Sequence, residues 1–330
     1  MMAAAGGADG ELMWAYLLHL GYNMWGDKPG HAEYTGASRA LRCDEVFWDE
    51  LVAFLAECGV NTCVVDLGEG VAYRSRPELA VEGSWSPERL ESKLGAMRAA
   101  GITPVPKLNF SACHDEWMGE YARCVSTKRY YDLCRDVVDE ACELFGRPAL
   151  FHIGMDEETY GHQKDYSCAV VRGEDLWWHD FYYLVDLVEK NGARAWAWSD
   201  YLWDHPDTFL RKMPRGVLQS NWYYGRFTPS ELEGPEIKSY RILEDNGYDQ
   251  VPAGSNWSCS ENFGRTVGHC KNLISPGHLK GFLQAPWKPT LLDRKYRHFE
   301  AADLVAQAKR DFYGQENRPQ PYGENLYAKR

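Results

Sequence analysis

Three consecutive carboxylates follow an apolar run near the middle of the chain. The run covers residues 149–155, and the acids are Asp156, Glu157 and Glu158. A buried strand that ends in adjacent carboxyl groups is how an α/β barrel enzyme brings general acids and bases to its open face. The alternative is that the acids begin the next loop or helix, where the helix dipole favours negative charge. Aromatic and polar residues at the other predicted strand ends favour the catalytic interpretation.

Eight apolar runs alternate with segments of helical periodicity. The runs are continuous instead of alternating, which is typical of parallel strands covered on both faces. The predicted strands lie near residues 13–21, 61–68, 102–109, 149–155, 193–199, 216–222, 249–255 and 279–287. The predicted helices cover residues 43–58, 127–145, 175–190, 206–212, 237–246, 261–274 and 291–312, with a further helix starting at Ser86.

These elements predict a single (β/α)8 barrel. Ser86 and Pro87 form a helix start, Gly146 ends a helix, and eight strand–helix units fit a chain of 330 residues. A doubly wound open sheet is the alternative, but residues 21–26 lack the Gly-rich phosphate turn that it would need. We expect an N-terminal extension over residues 1–12, a catalytic barrel over 13–314 and a polar tail over 315–330.

Composition narrows the class of partner. The net charge of −12 and the lack of a basic stripe argue against nucleic acid. No apolar run reaches the roughly 18 residues of a membrane span. Aromatic residues make up 14% of the chain, and aromatic faces stack on sugar rings, so we expect a carbohydrate partner. The oligomeric state stays open.

The ten cysteines include no C-x-x-C pair. Several of them fall on apolar helix faces or in strands, which indicates buried free thiols in a reducing compartment. The first residues lack the basic region of a signal peptide, so a cytoplasmic location is favoured, and an exported form stays open. His114 and His162 lack the spacing of metal ligands, and we expect neither a metal nor a cofactor.

In a barrel, the C-terminal ends of the strands share one face, so their polar and aromatic side chains form one candidate site. Aromatic walls, amides and carboxylates together suit a polyhydroxylated ligand. The predicted carbohydrate-binding residues are Asn23, Trp25, Asp66, Lys107, Asn109, His114, Trp198, Asp200, Asn221, Trp222, Tyr223, Trp257, Gln284 and Trp287. Ordinary packing is the competing explanation for Trp198, Trp257 and Trp287, and capping of the next segment is the competing explanation for Asp66.

At these strand ends the chain resembles the barrel of family 20 glycoside hydrolases, the β-N-acetylhexosaminidases. The family's fourth strand ends in His-x-Gly-Gly-Asp-Glu, and this chain has His152-Ile153-Gly154-Met155-Asp156-Glu157. The family's third strand, Val-Ile-Pro-Glu-Ile-Asp with a histidine in the following loop, is similar to residues 104–109 followed by His114. The tryptophans that fall where the family builds its acetamido-sugar pocket are Trp198, Trp222 and Trp287.

The resemblance implies substrate-assisted hydrolysis with retention, in which the 2-acetamido carbonyl of the substrate attacks C1. Asp156 would orient the acetamido group and stabilise its developing positive charge. Glu157 would protonate the leaving oxygen and then deprotonate water, with its pKa raised by the adjacent carboxylate. Neighbouring residues on a regular strand point to opposite faces. The strand must therefore end or bulge by Asp156 if Asp156 and Glu157 are both to face the substrate.

Several positions depart from the family pattern. Residues 21–23 lack the arginine that grips sugar hydroxyls, Lys107 and Asn109 replace an acidic pair, and no glutamate directly follows Trp287. We therefore expect a divergent relative with altered glycan preference. Two alternatives stay open: a two-carboxylate glycosidase with Glu157 opposite Asp200 or Asp66, and a non-catalytic glycan-binding barrel.

Overall fold

The computed structural model of the protein describes residues 11–26 and 36–315, and the remainder of the expected extension and tail lies outside these residues. All eight predicted strands are present. Each observed strand is shorter than the apolar run that predicted it. Their bounds are β1 Met13–His19, β2 Thr62–Asp66, β3 Thr103–Lys107, β4 Leu150–His152, β5 Arg194–Trp198, β6 Leu218–Ser220, β7 Ala253–Gly254 and β8 Gly281–Gln284.

The strands form one parallel sheet in the order β6-β5-β4-β3-β2-β1-β8-β7. Parallel bridges between Gln219 and Gln250 and between Trp222 and Ala253 join the two ends of that order. The sheet therefore closes on itself, and the chain is a (β/α)8 barrel. This result confirms the predicted fold class and excludes the doubly wound open sheet.

Helices pack around the barrel. Their bounds are α1 Glu45–Glu57, α2 Pro87–Ala99, α3 Lys128–Leu144, α4 Tyr160–Gln163, α5 Glu174–Lys190, α6 Tyr201–Asp204, α7 Pro206–Lys212, α8 Pro235–Asp245, α9 Asn262–Leu273 and α10 Lys295–Tyr313. The predicted boundary signals hold: the Ser86 side chain accepts a hydrogen bond from the Arg89 N–H, and Gly146 follows α3 with φ +68°.

Strand alternation divides the core into two layers. On β1, Ala15 and Leu17 face the barrel interior, whereas Trp14, Tyr16 and Leu18 pack in the layer between strands and helices. The same alternation on every strand fixes which strand-end side chains reach the barrel mouth.

Two further observations bear on the sequence predictions. No helix within the described ranges is long and apolar enough to cross a membrane. All ten cysteines lie in those ranges and are free, and six of them are buried.

Candidate active site

The turn after β4 brings two carboxylates to one side. The strand ends at His152, and Gly154, Met155 and Glu157 then adopt left-handed backbone conformations with φ of +69°, +71° and +55°. Such angles are uncommon for residues other than glycine and recur at functional sites. The strand has thus ended before Asp156, as the sequence argument requires. Adjacent acids are therefore not forced onto opposite faces.

His114 contacts both acids. Its Nδ1 lies 3.4 Å from Asp156 Oδ1, and its Nε2 lies 3.3 Å from Glu157 Oε2. Burial alone would lower the pKa of His114, but the Asp156 carboxylate raises it well above its usual value. Burial would likewise raise the pKa of Asp156, but His114 lowers it. At neutral pH the two form an imidazolium–carboxylate pair beside Glu157.

Asn109 sets the geometry of this turn. Its Nδ2 donates to Asp156 Oδ1 at 2.7 Å, and its Oδ1 accepts from the N–H groups of Met155 and Ser111, each at 3.1 Å. A Cβ at position 154 would lie 2.2 Å from Asn109 Oδ1, so only glycine fits there. Gly154 therefore allows the side-chain amide of Asn109, two residues after β3, to hold the acid that follows β4.

Asp200 is a third carboxyl group at the same place. Its Oδ2 accepts from the Glu157 N–H at 2.8 Å, and its buried Oδ1 has no hydrogen-bond partner among the described residues. Burial, and then the charge of Asp156, raise the pKa of Asp200 to about 8. At neutral pH Asp200 is therefore mainly protonated while Asp156 is ionised, and the two carboxyl groups suit different roles.

Glu157 is the more accessible of the paired acids. Its side chain is 24% exposed, against 7% for Asp156. Its Oε1 lies 3.5 Å from Nε2 of His162, which is itself half-exposed. Glu157 is therefore more open than Asp156 to water and to a ligand at the barrel mouth.

A row of four buried polar residues lies below these acids. His19, Asp66, Lys107 and His152 are neighbours in the register of β1, β2, β3 and β4. Lys107 pairs with Asp66: burial would raise the pKa of Asp66, but the charge of Lys107 lowers it. Burial lowers the pKa of both histidines, which are neutral. Asp66 is thus bound to Lys107, and its side chain does not cap the next segment.

Two tryptophans line the mouth above this row. The Trp198 ring lies 4.6 Å from the His152 ring and 5.9 Å from the Trp287 ring. The Trp287 ring is also 5.7 Å from that of His19. Trp198 Nε1 is buried without a hydrogen-bond partner among the described residues. An indole N–H in this state is available to a ligand.

Tyr224 belongs to this site, and the sequence analysis missed it. Its hydroxyl accepts from Trp287 Nε1 at 2.9 Å, and its ring stacks on Trp222 at 4.9 Å. Burial, and then the charges of Asp156 and other nearby carboxyl groups, raise the pKa of Tyr224. Alternation along β6 was a usable signal. Every second side chain points to the same face, Leu218 and Trp222 face the interior, and residue 224 falls in the same series; this shared face is called parity below.

Three predicted residues do not join this group. Tyr223, with the opposite parity, packs edge-on against Phe227. Asn221 accepts from Trp203 Nε1 and donates to the carbonyl of Glu236 on α8. Gln284 follows the inward-facing Leu283, so alternation directs its side chain to the outer layer.

The remaining predicted residues lie around the mouth. Trp25 packs edge-on against His114 with 6.0 Å between the rings. Asn23 exchanges hydrogen bonds with the backbone of Ser38, so its amide holds a loop. Trp257 is 58% exposed in the loop after β7.

One group within the described residues has the chemistry of a metal site. A sulfur, a ring nitrogen and a carboxylate oxygen of Cys113, His114 and Glu157 all lie within 4.8 Å of one another. No metal was predicted from the sequence, and Cys113 was not among the predicted site residues.

Comparisons with known proteins identify the fold. No family model matches the chain, and no curated protein does. A β-N-acetylhexosaminidase from Bacteroides fragilis matches in structure with a TM-score of 0.58 and 16% identity, over 89% of this chain and 65% of that one. The family 20 β-N-acetylhexosaminidase from Streptomyces coelicolor A3(2) matches with a TM-score of 0.59 and 15% identity, over 90% and 65%.

A third structure was solved with a sugar. The family 20 exo β-N-acetylglucosaminidase from Vibrio harveyi, in complex with N-acetylglucosamine, matches with a TM-score of 0.58 and 14% identity, over 89% of this chain and 54% of that one. The chain thus spans less than two thirds of the length of all three proteins. At these identities the likeness is one of fold: the chain is a divergent barrel that resembles the catalytic domains of family 20 β-N-acetylhexosaminidases.

Proposed function

We propose that the protein is a retaining exo-acting glycosidase of the β-N-acetylhexosaminidase type, with Glu157 as general acid/base and Asp156 as the group that orients the substrate's 2-acetamido group. The observation that carries this proposal is the contact of one imidazole, His114, with both carboxylates at the barrel mouth. The likeness of the fold to β-N-acetylhexosaminidase barrels supports the same chemistry.

In this mechanism the substrate's acetamido oxygen attacks C1 while Glu157 protonates the leaving oxygen. The ring that forms on the substrate carries positive charge, which a fixed negative charge stabilises. Asp156 suits that role because His114 keeps its pKa low and Asn109 holds Oδ1 in place. Glu157 then takes a proton from the water that opens the ring.

The state of the other carboxyl groups argues against a two-carboxylate mechanism. A protein nucleophile or base opposite Glu157 must be ionised, but Asp200 has a pKa of about 8 and Asp66 is committed to Lys107. Protonated Asp200 is better suited to donate a hydrogen bond from its unpartnered Oδ1. The buried N–H of Trp198 and the hydroxyl of Tyr224 are further polar groups for an acetamido sugar.

A panel of nitrophenyl glycosides, with and without the 2-acetamido group, tests the substrate class. We expect turnover of the acetamido sugars only, because the plain hexosides lack the internal nucleophile. Turnover confined to plain hexosides would contradict the proposal. Binding on a glycan array without turnover of any substrate would favour a glycan-binding barrel instead.

Replacing Asp156 with asparagine tests the orienting role. We expect kcat on an acetamido substrate to fall by on the order of 10²–10³-fold, the usual cost of losing one electrostatic contact to the transition state. KM should change less, because the charge develops only in the transition state. The matched control is Asp175→Asn, a surface carboxylate that is 97% exposed, and it should keep full activity. A rise in KM with kcat unchanged would mean that Asp156 contributes equally to the ground state and the transition state and has no special role in the chemical step.

A further inference from the structure

We propose that Cys113, His114 and Glu157 form a binding site for a thiophilic divalent cation of the Zn²⁺ class, and that the bound cation blocks the acid/base carboxylate. The site goes beyond the proposed glycosidase function. Cation binding does not depend on that function, whereas the inhibitory consequence rests on it.

Two of the three ligand atoms are at the spacing that a tetrahedral ion requires. Zn²⁺ binds histidine nitrogen and carboxylate oxygen at about 2.0–2.2 Å, so two such ligands stand roughly 3.3 Å apart on a tetrahedron. His114 Nε2 and Glu157 Oε2 are 3.3 Å apart. The ligand atoms of all three residues lie within 4.8 Å of one another.

The outer partners of the site also match. A histidine that binds a metal through one ring nitrogen usually donates its other N–H to a carboxylate, which fixes the ring. His114 Nδ1 lies 3.4 Å from Asp156 Oδ1, and Asn109 in turn holds that carboxylate. The carboxylate that would accept from Nδ1 therefore already lies beside the ring when a cation binds Nε2.

The supporting loop is ordered by its own hydrogen bonds. The Cys113 N–H donates to Ser111 Oγ at 3.2 Å, and the His114 N–H donates to the Ser111 carbonyl at 3.0 Å. Both side chains are buried, and Glu157 is held through its own N–H by Asp200. The three ligands thus come from two fixed turns that already meet at the barrel mouth.

The ligand chemistry selects the class of ion. A thiolate and an imidazole favour Zn²⁺ over Mg²⁺ and Ca²⁺, which prefer oxygen ligands. The charges of the Cys113 thiolate and the Glu157 carboxylate balance a divalent ion. The cation takes the place of the Nε2 proton, which His114 directs towards Glu157, and leaves the Nδ1 proton facing Asp156. Three protein ligands also leave a fourth position for water.

Direct binding tests the site. Chelator-treated wild type and the variants Cys113→Ser and Cys168→Ser are titrated with Zn²⁺ against a chromophoric chelator. We expect one equivalent to bind wild type and a loss of affinity of at least about 100-fold in Cys113→Ser, more than the 10–100-fold typical of outer partners. Cys168 is exposed and outside the site, so Cys168→Ser should bind like wild type.

A spectroscopic measurement keeps the test decisive if Cys113→Ser folds poorly. Co²⁺ added to wild type should give a thiolate-to-cobalt charge-transfer band that Zn²⁺ abolishes. No such band in wild type, or equal Zn²⁺ affinity in wild type and Cys113→Ser, would overturn the proposal. If the protein binds one equivalent of Zn²⁺ but hydrolyses no glycoside, the metal site is supported and the glycosidase function is contradicted. If the protein hydrolyses glycosides, is not inhibited by Zn²⁺ and does not bind it, only the metal site is contradicted.

Discussion

Glu157→Gln is expected to lower kcat on a nitrophenyl acetamido-glycoside by about 10²–10⁴-fold, the usual contribution of a positioned general acid/base. Glutamine keeps the size of the side chain, but its amide cannot donate a proton to the leaving oxygen or accept one from water. KM should change little, because proton transfer occurs in the transition state. Steady-state kinetics on purified wild type and variant measure both parameters.

Substrates with different leaving groups distinguish the loss of a general acid from a disturbance of the fold in Glu157→Gln. A dinitrophenyl leaving group needs less protonation, so the loss for Glu157→Gln should be clearly smaller with it than with a poor leaving group. Glu120→Gln, at an exposed carboxylate outside the site, is the control and should match wild type on both substrates. An equal loss on the two leaving groups, or none on either, would remove Glu157 from the acid role.

The fold was predictable because its signals are local. Each strand is a continuous apolar run, and boundary residues such as Ser86 and Gly146 act through their own turns. Strand lengths were overestimated because apolar residues continue beyond the last ladder hydrogen bond: β4 ends at His152, although Ile153 and Met155 are also buried. Those extra residues form the turn that carries the acids.

The grouping of the candidate site's side chains at the mouth was predictable from the strand ends. Asp156, Glu157, Asn109 and His114 meet because parallel strands place their C-terminal ends on one face. The sequence could not show that Asn109 enters the space left by Gly154, since that contact joins two strands. It also could not show the protonation of Asp200, which depends on burial and on the charge of a neighbouring turn.

Face assignment explains which of the predicted residues at the end of β6 reach the barrel mouth. The position of a residue near a strand end does not decide whether its side chain enters the mouth; its parity does. Tyr224 shares the parity of Trp222 and contacts Trp287, whereas Tyr223 packs outward. Gln284 is set outward by the same rule. Reading parity from the innermost apolar residue of each strand would have separated these cases.

Glu158, the third acid of the triplet, has a structural role. Its carboxylate pairs with Arg172 and accepts from the Ala112 N–H at 2.9 Å. Arg172 also donates to Asp180 Oδ2 of α5 at 3.0 Å and to the Phe110 carbonyl at 3.1 Å. The three charged side chains are 0–2% exposed, so they form a buried network. It ties the loop after β3 to the turn after β4.

Arg172→Met is expected to lower the free energy of unfolding by about 3–5 kcal/mol, the usual cost of removing one partner from a buried ion pair. Methionine fills most of the volume, but Glu158 and Asp180 are left as buried carboxylates without their cation. Asp180 keeps the hydroxyl of Ser126 as a donor at 2.6 Å, which limits the loss. Urea unfolding of wild type and variant measures the difference through the midpoint at constant slope.

The double variant Glu158→Gln/Arg172→Met decides whether the network acts as a unit. Removing both charges should cost clearly less than the sum of the two single variants, because Glu158 is then not left as a buried charge and only Asp180 still loses its cation. Arg74→Met, at an ion pair in which both side chains are more than half exposed, is the control and should leave the unfolding midpoint nearly unchanged. Additive losses in the double variant would mean that Glu158 and Arg172 stabilise the two loops separately. The acids Asp156 and Glu157 would then not depend on a single buried network for their position.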